Sequence, residues 1–132
     1  MMGVEQNLET VRRGYAAFSS GDMDALMALY SDDAAHIVPG ASLISGAHKG
    51  KESILGLYGK LFELSGGTMS VELDHVLSDG ADRVIAIHTS SLVTDGDTVT
   101  QTEALLFTFV DGKVAEIQDF FADIALNDRL FS

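Results

Sequence analysis

Residues 79–112 read DGADRVIAIHTSSLVTDGDTVTQTEALLFTFVDG, and three Asp-Gly pairs divide this stretch at an even spacing of 16 residues. The pairs begin at Asp79, Asp95 and Asp111. Asp-Gly supplies the positive φ angles that tight hairpin turns need, and alternating apolar and polar residues lie between the pairs. The pattern predicts four consecutive antiparallel strands, over residues 68–78, 83–94, 98–110 and 113–122.

The first half of the chain has helical periodicity instead. Apolar residues at steps of three and four, from Val4 to Phe18, predict a first helix that ends at Gly21. Asp22 is a candidate N-cap for a second, shorter helix, which carries Tyr30 inward and closes at residues 32–33. Two helices therefore precede any strand.

A short strand and a third helix complete this half. Residues 34–38 form an apolar strand that contains His36 and stops at Pro39, and residues 41–50 form a loop. The third helix begins near Lys51 and ends at residues 65–67. Helices followed by strands predict one α+β domain over residues 1–132, with three N-terminal helices on one face of a curved, mainly antiparallel sheet. A pocket would form on the concave side of that sheet.

The side chains of the strands indicate which faces are covered. In the first long strand Met69, Val71, Leu73, His75 and Leu77 alternate with polar residues, which predicts one buried face and one wet face. In residues 84–93 and 103–110 both parities carry apolar side chains, which predicts helices on one face and another subunit on the other. We therefore expect a homodimer through the sheet face. The alternative cover for the second face is the C-terminal segment, residues 124–131.

Composition argues against several classes of function. The net charge is −12, from 20 acidic and 8 basic residues, so neither nucleic acid nor an anionic membrane surface is an expected partner. The chain has no cysteine, which excludes a disulfide framework, a thiol nucleophile and a thiolate metal site. The N-terminus has neither a basic nor an apolar segment typical of a signal peptide, so the cytoplasm is the expected location.

The order of these elements resembles the nuclear transport factor 2-like superfamily of α+β cones, whose fold is cystatin-like. The string GDMDALMALYSDDA, residues 21–34, carries this resemblance, and residues 39–40, 50–54 and 111–116 resemble the SnoaL-like and ketosteroid-isomerase-like branch. The resemblance implies a deep apolar pocket between the helices and the concave sheet face. It also implies one of several activities, because the superfamily includes isomerases, polyketide cyclases and non-catalytic binders.

Two acids are candidates for chemistry in such a pocket. The isomerases carry one acid directly before the proline that ends the first strand, but this chain has Val38 there. Their second acid falls at Thr102 or Glu103, and Asp119 is similar to an acid in the last strand of SnoaL-like cyclases. The simpler interpretation places Glu103 at the rim or the dimer face and Asp119 in solvent.

Two histidines and two tyrosines are further candidates. His36 would point into the cone beside the missing isomerase base, and His88 shares a strand face with apolar residues. The simpler interpretation of each is a buried histidine bonded to backbone. Tyr15 lies near the position of the isomerases' oxyanion tyrosine, and Tyr15 or Tyr58 would donate to a carbonyl oxygen. A core tyrosine with its hydroxyl at the rim is the alternative.

The leading hypothesis is a SnoaL-like protein that binds a small apolar or polycyclic carbonyl compound and rearranges it by acid–base chemistry without a cofactor. Glu103 or Asp119 would be the acid or base, assisted by His36 or His88. The four histidines lack metal-ligand spacing, so no metal site is expected. The competing hypothesis is a non-catalytic ligand-binding or assembly domain, which Val38 favours.

Overall fold

The computed structural model describes residues 2–132, in which four helices pack with one six-stranded sheet. The helices are α1 (Met2–Ser20), α2 (Met23–Met27), α3 (Lys51–Leu64) and α4 (Ile124–Leu130). The strands are β1 (Tyr30–Val38), β2 (Gly46–Lys49), β3 (Ser70–Ser78), β4 (Arg83–Thr94), β5 (Asp97–Val110) and β6 (Lys113–Phe121). The predicted α+β class is confirmed, with α4 as an additional short helix. Within the described residues, no helix has the length and apolar character required to cross a membrane.

The strand order in the sheet is β2-β1-β6-β5-β4-β3. Strands β3 to β6 form the predicted antiparallel meander, and β1 pairs antiparallel with β2 but parallel with β6. In that parallel pair His36 lies opposite Ile117. The sheet thereby brings the first strand of the chain alongside the last one.

Two of the three Asp-Gly pairs form tight hairpin turns. Both residues have positive φ angles in Asp95-Gly96 and in Asp111-Gly112, with 51° at each aspartate, and each pair is a complete two-residue loop. Asp79-Gly80 is different, because it lies in a longer loop between β3 and β4. The Asp79 carboxylate accepts hydrogen bonds from the backbone N–H of Ala81 and Arg83, and these bonds lower the pKa of Asp79. The prediction of a tight turn there is wrong.

The second helix is shorter than predicted and the first strand is longer. Asp22 does cap α2, through a hydrogen bond from the Ala25 backbone N–H at 3.1 Å. However, α2 ends at Met27 and β1 begins at Tyr30, because the Leu29 carbonyl already accepts a bond from β6. Pairing with β6 thus overrides the helical spacing. Residues 46–49 also differ from the predicted loop, since they pair with β1 as strand β2.

A β-bulge in β3 changes which side chains face inward. The register with β4 shifts between Leu73 and His75, at Asp74. After the bulge, Val76 packs against the core while Leu77 is 56% exposed. The prediction that His75 and Leu77 share the buried face is therefore wrong, because one extra residue reverses the alternation.

The two faces of the sheet have different environments. The concave face packs against helices, and its buried residues on β4 and β5 include His88, Ser90, Gln101 and Glu103. On the convex face apolar side chains remain accessible, with Ile85 41% exposed. The C-terminal segment does not cover the convex face as the alternative required, because α4 lies on the concave side, where its side chains reach the same cavity as the inward residues of β5.

Candidate active site

A first polar network joins α1 to the middle of the sheet. His88 and Glu103 lie directly opposite each other on β4 and β5, and both side chains are buried on the concave face. His88 Nε2 lies 3.3 Å from Glu103 Oε1, and His88 Nδ1 lies 2.5 Å from the hydroxyl of Tyr15 on α1. We call Tyr15, His88 and Glu103 the central network.

A second network joins α3 to the parallel strands β1 and β6. His36 Nε2 lies 2.7 Å from Asp119 Oδ1, and His36 Nδ1 lies 2.9 Å from the Tyr58 hydroxyl. The Tyr58 hydroxyl is in turn 2.8 Å from that of Tyr30. We call Tyr30, Tyr58, His36 and Asp119 the lateral network. The hydrogen bond between His36 and Asp119 depends on the parallel pairing of β1 with β6, because the two residues are remote in sequence.

Both networks line one cavity of about 100 Å³, which lies between α1, α3, α4 and the concave face of the sheet. This volume is well above the roughly 10–15 Å³ that a single water needs. Apart from the networks the wall is mainly apolar, with residues such as Leu57, Phe107 and Phe121. Val38 also lines the cavity, at the place where the isomerases carry an acid. The cavity is thus an apolar space with two sets of titratable groups on its wall.

The tyrosine hydroxyls of both networks stay protonated at neutral pH. Burial raises the pKa of Tyr15, and the negative carboxylates of Asp119 and Glu103 raise it further. Burial also raises the pKa of Tyr30 and of Tyr58. Asp119 of the lateral network thus acts on Tyr15 of the central network through its charge. Each tyrosine is therefore a hydrogen-bond donor and not a phenolate.

One arrangement of protons satisfies each network. In the central network Tyr15 donates to His88 Nδ1, and the Nε2–H of His88 donates to Glu103; in the lateral network Tyr58 donates to His36 Nδ1, and Nε2–H donates to Asp119. Within residues 2–132, the second oxygen of each carboxylate makes no hydrogen bond. Each network thus presents a carboxylate oxygen that is able to accept a proton.

The structure places every candidate residue from the sequence on the wall of this cavity. These are Glu103, Asp119, His36, Tyr15, Tyr58 and His88. Of the two positions expected for the isomerases' second acid, Glu103 lines the cavity, whereas Thr102 is exposed on the convex face. The simpler interpretation of the two histidines is wrong, since both bind a carboxylate and a tyrosine rather than backbone.

The other two histidines lie away from the networks. The Nε2–H of His48 donates to the Ile44 carbonyl at 2.8 Å, and His75 is exposed on β3. Among residues 2–132, no group of three or more histidine, aspartate and glutamate side chains is placed to hold a metal ion. Proton transfer and hydrogen bonding are the chemistry that the cavity residues themselves supply.

Sequence analysis missed several polar residues of the cavity wall, among them Tyr30, Gln101 and Asn127. The helical spacing predicts Tyr30 to lie in a helix, although it begins β1 and lines the cavity. Gln101 lies two residues before Glu103 on the same strand face, so the parity of β5 was sufficient to find it. Asn127 is on α4, where it accepts a hydrogen bond from Gln101 Nε2 at 3.0 Å. No local pattern in the sequence identifies Asn127, because its position depends on how α4 packs.

Comparison with known proteins agrees with this architecture. Residues 11–117 match the SnoaL-like domain family. An uncharacterized protein of Mycobacterium tuberculosis, Rv0034, is 30% identical over 128 residues, which cover 97% of this chain and 98% of that protein. The structure of Bal32a, from a soil-derived mobile gene cassette, is 40% identical with a TM-score of 0.92, covering 98% of this chain and 99% of that one. A Xanthomonas campestris protein of unknown function with a cystatin-like fold is 27% identical, with a TM-score of 0.88 and coverage of 96% and 98%. The chain belongs to the SnoaL-like family and has the cystatin-like α+β fold.

Proposed function

We propose that this SnoaL-like protein binds a small apolar or polycyclic carbonyl compound in the cavity and rearranges it as a cofactor-independent isomerase or cyclase. One observation carries the proposal: two networks, each linking a carboxylate, a histidine and a tyrosine, line a single apolar cavity. A proton acceptor and a hydrogen-bond donor on one wall are the two groups that enolisation requires.

The lateral network supplies the base. The free oxygen of Asp119 takes a proton from the carbon next to the ligand carbonyl, the C–H bond breaks, and its electron pair forms an enolate. His36 holds the other oxygen at 2.7 Å and so fixes the orientation of the carboxylate. Asp119 then returns the proton to another carbon in an isomerase. In a cyclase, the enolate carbon attacks a second carbonyl and the proton goes to the new alkoxide.

The central network supplies the donor. Tyr15 turns its hydroxyl proton from His88 Nδ1 toward the ligand oxygen, where negative charge develops. Burial keeps that hydroxyl protonated, since it raises the pKa of Tyr15. The apolar wall strengthens this hydrogen bond, because apolar surroundings screen charge less than bulk water does.

An exchange experiment tests the proposal without knowledge of the natural substrate. The probe is 2-tetralone, a bicyclic ketone with acidic α-protons, incubated with the protein in D₂O and followed by NMR. Loss of the α-proton signal is expected to be faster than in buffer, and Asp119→Asn is expected to slow the catalysed exchange about a hundredfold or more. Asp97→Asn is the matched control, because Asp97 is exposed at the start of β5.

Two results would contradict this mechanism: exchange no faster than in buffer, or full exchange by the Asp119→Asn variant. Glu103→Gln decides between the two carboxylates. If Glu103→Gln causes the larger loss while Asp119→Asn causes little, Asp119 is not the base and the central network holds that role.

A non-catalytic ligand-binding domain is the second candidate. It is favoured by Val38, which is buried in the cavity wall where the isomerases carry an acid. It is also favoured by the imidazole groups, which already have partners on both nitrogens. Binding of 2-tetralone without any acceleration of exchange would support this candidate.

The convex face of the sheet supports a further proposal, that two copies associate as a homodimer. Leu77, Ile85 and Phe120 lie on that face with much of each side chain exposed. Apolar residues on neighbouring strands form a patch of the kind that protein interfaces bury. Sedimentation analysis of the wild-type chain tests it, and a monomer at all concentrations would contradict it.

A further inference from the structure

A pair of amide side chains stands apart from the two networks on the cavity wall. Gln101 is on the concave face of β5, and Asn127 is on α4. Their exposed fractions are 9% and 1%, so both are sealed from bulk water. The Nε2–H of Gln101 donates to Asn127 Oδ1 at 3.0 Å, and this bond connects α4 to the sheet.

The amide pair is only half satisfied. Two primary amides are able to form two reciprocal hydrogen bonds, but here Gln101 Oε1 and Asn127 Nδ2 have no partner within residues 2–132. If both amide groups are rotated so that oxygen and nitrogen change places, Asn127 becomes the donor and Gln101 the acceptor. One oxygen and one NH₂ group are then again unpaired. Buried polar atoms in this state are unusual, because each loses its bonds to water without replacement.

We propose that Gln101 and Asn127 determine the specificity of the cavity by binding a ligand edge that carries a hydrogen-bond donor beside an acceptor. A lactam has such an edge, because its N–H lies beside its C=O. A carbonyl group with a neighbouring enol hydroxyl has one as well. Gln101 Oε1 and Asn127 Nδ2 have almost no accessible surface without a ligand, so the two amide groups turn toward the cavity when such an edge binds. The edge then donates to the free amide oxygen and accepts from the free amide NH₂, which satisfies both orphaned groups together. This inference rests on the proposed function in one respect, that a ligand occupies the cavity.

The position of the pair also constrains the ligand's length. Gln101 and Glu103 are two residues apart on the same face of β5, which corresponds to about 7 Å along a strand. Ser90 lies opposite Gln101 on β4 and adds a buried hydroxyl at the same level. The recognised edge therefore lies roughly one fused ring away from the group that meets the carboxylates, which fits a flat bicyclic ligand.

Three probes of similar shape separate edge recognition from simple apolar binding. 2-Quinolone carries the lactam edge, 1-methyl-2-quinolone lacks the N–H donor, and naphthalene lacks both polar groups. Calorimetric titration of the wild-type chain is expected to give at least about tenfold tighter binding of 2-quinolone than of its methyl derivative. Naphthalene is expected to bind as well, more weakly than 2-quinolone.

The variant Gln101→Met/Asn127→Leu tests whether the amides cause the preference. Both replacements approximate the original shapes and leave no unpaired polar atom, so the variant is expected to fold. In this variant the affinity ratio of the two quinolones is expected to fall to within about twofold, while naphthalene binding is retained. A purely steric effect of the methyl group would persist in the variant, because the cavity shape is nearly unchanged.

The outcomes distinguish this inference from the proposed function. If naphthalene binds but wild type does not distinguish the quinolones, or the preference survives in the variant, the amide pair does not set specificity and the cavity remains a ligand site. If none of the probes binds at roughly 1 mM, ligand binding in the cavity is contradicted, and the inference fails with it. Should the double variant be unfolded, Gln101→Met alone is measured, and retention of the full ratio there overturns the inference.

Discussion

The two faces of the central sheet depart from the usual rule for residue placement in opposite directions. The concave face of β4 and β5 buries His88 and Glu103, whereas the convex face exposes Ile85 and Phe120. Burying polar groups requires partners, and exposing apolar ones loses the benefit of burial. On the concave side the partners exist as the two networks, and on the convex side the missing cover is the second copy proposed above. The buried polar residues thus identify the proposed ligand site, and the exposed apolar residues identify the proposed dimer interface.

The largest expected effect on stability comes from a lysine on the concave face of β4. A lysine at the adjacent residue, on the convex face, is the comparison. Ala86 is 0% exposed on the concave face, while Ile85 is 41% exposed on the convex face. Ala86→Lys buries an unpaired ammonium group and is expected to lower the free energy of unfolding by about 3–5 kcal/mol. Urea denaturation measures this loss. Equal losses for Ala86→Lys and Ile85→Lys would contradict the assignment of the two faces.

An intermediate effect on stability is expected at high pH, and it comes from residues of the cavity alone. All three tyrosines of the chain line the cavity, and the chain has no tryptophan, so tyrosinate absorbance reports only on this site. Since folding raises the pKa of each tyrosine, the folded chain holds protons that the unfolded chain releases near pH 10. Stability from these groups is therefore complete below about pH 10 and falls above it, by about 1.4 kcal/mol per pH unit for each tyrosine.

A pH titration of the ultraviolet absorbance, run in parallel with denaturation, checks this prediction. Tyrosinate is expected to appear only together with unfolding, well above the pH at which an exposed tyrosine ionises. Ionisation of any tyrosine near pH 10 in the folded chain would show that its hydroxyl is in contact with water and not in a network.

The smallest change in stability is expected on the convex face. Ile85→Lys leaves the core and the cavity intact, so the free energy of unfolding per chain, measured on dilute monomer, is expected to change by no more than about 0.5 kcal/mol. The charge would nevertheless disfavour a partner on that face, and sedimentation is expected to show loss of the dimer. Thr89 is on the same face of β4, so sedimentation of Thr89→Lys tests how far the dimer contact extends along the strand. A dimer that survives both changes would place the interface elsewhere.

The meander was predictable because hairpins are local, and the cavity was less so because its contacts are not. Asp95-Gly96 and Asp111-Gly112 fix their turns with residues that adjoin in sequence. The hydrogen bond between His36 and Asp119 joins residues 83 apart, through a parallel strand contact that no periodicity encodes. Likewise the bulge at Asp74 was invisible, since one unpaired residue leaves the alternation unchanged in the sequence while it reverses the faces.

That bulge also bears on solubility. β3 and β2 are the two edge strands of the sheet, and open edges are able to pair with other chains and start aggregation. β2 has only four residues, while β3 is interrupted at Asp74 and exposes Glu72 and Asp74. An incoming strand would meet a short partner at one edge and a kinked, negatively charged one at the other. The sheet is therefore protected against edge-to-edge growth even in the monomer, before a second copy covers its convex face.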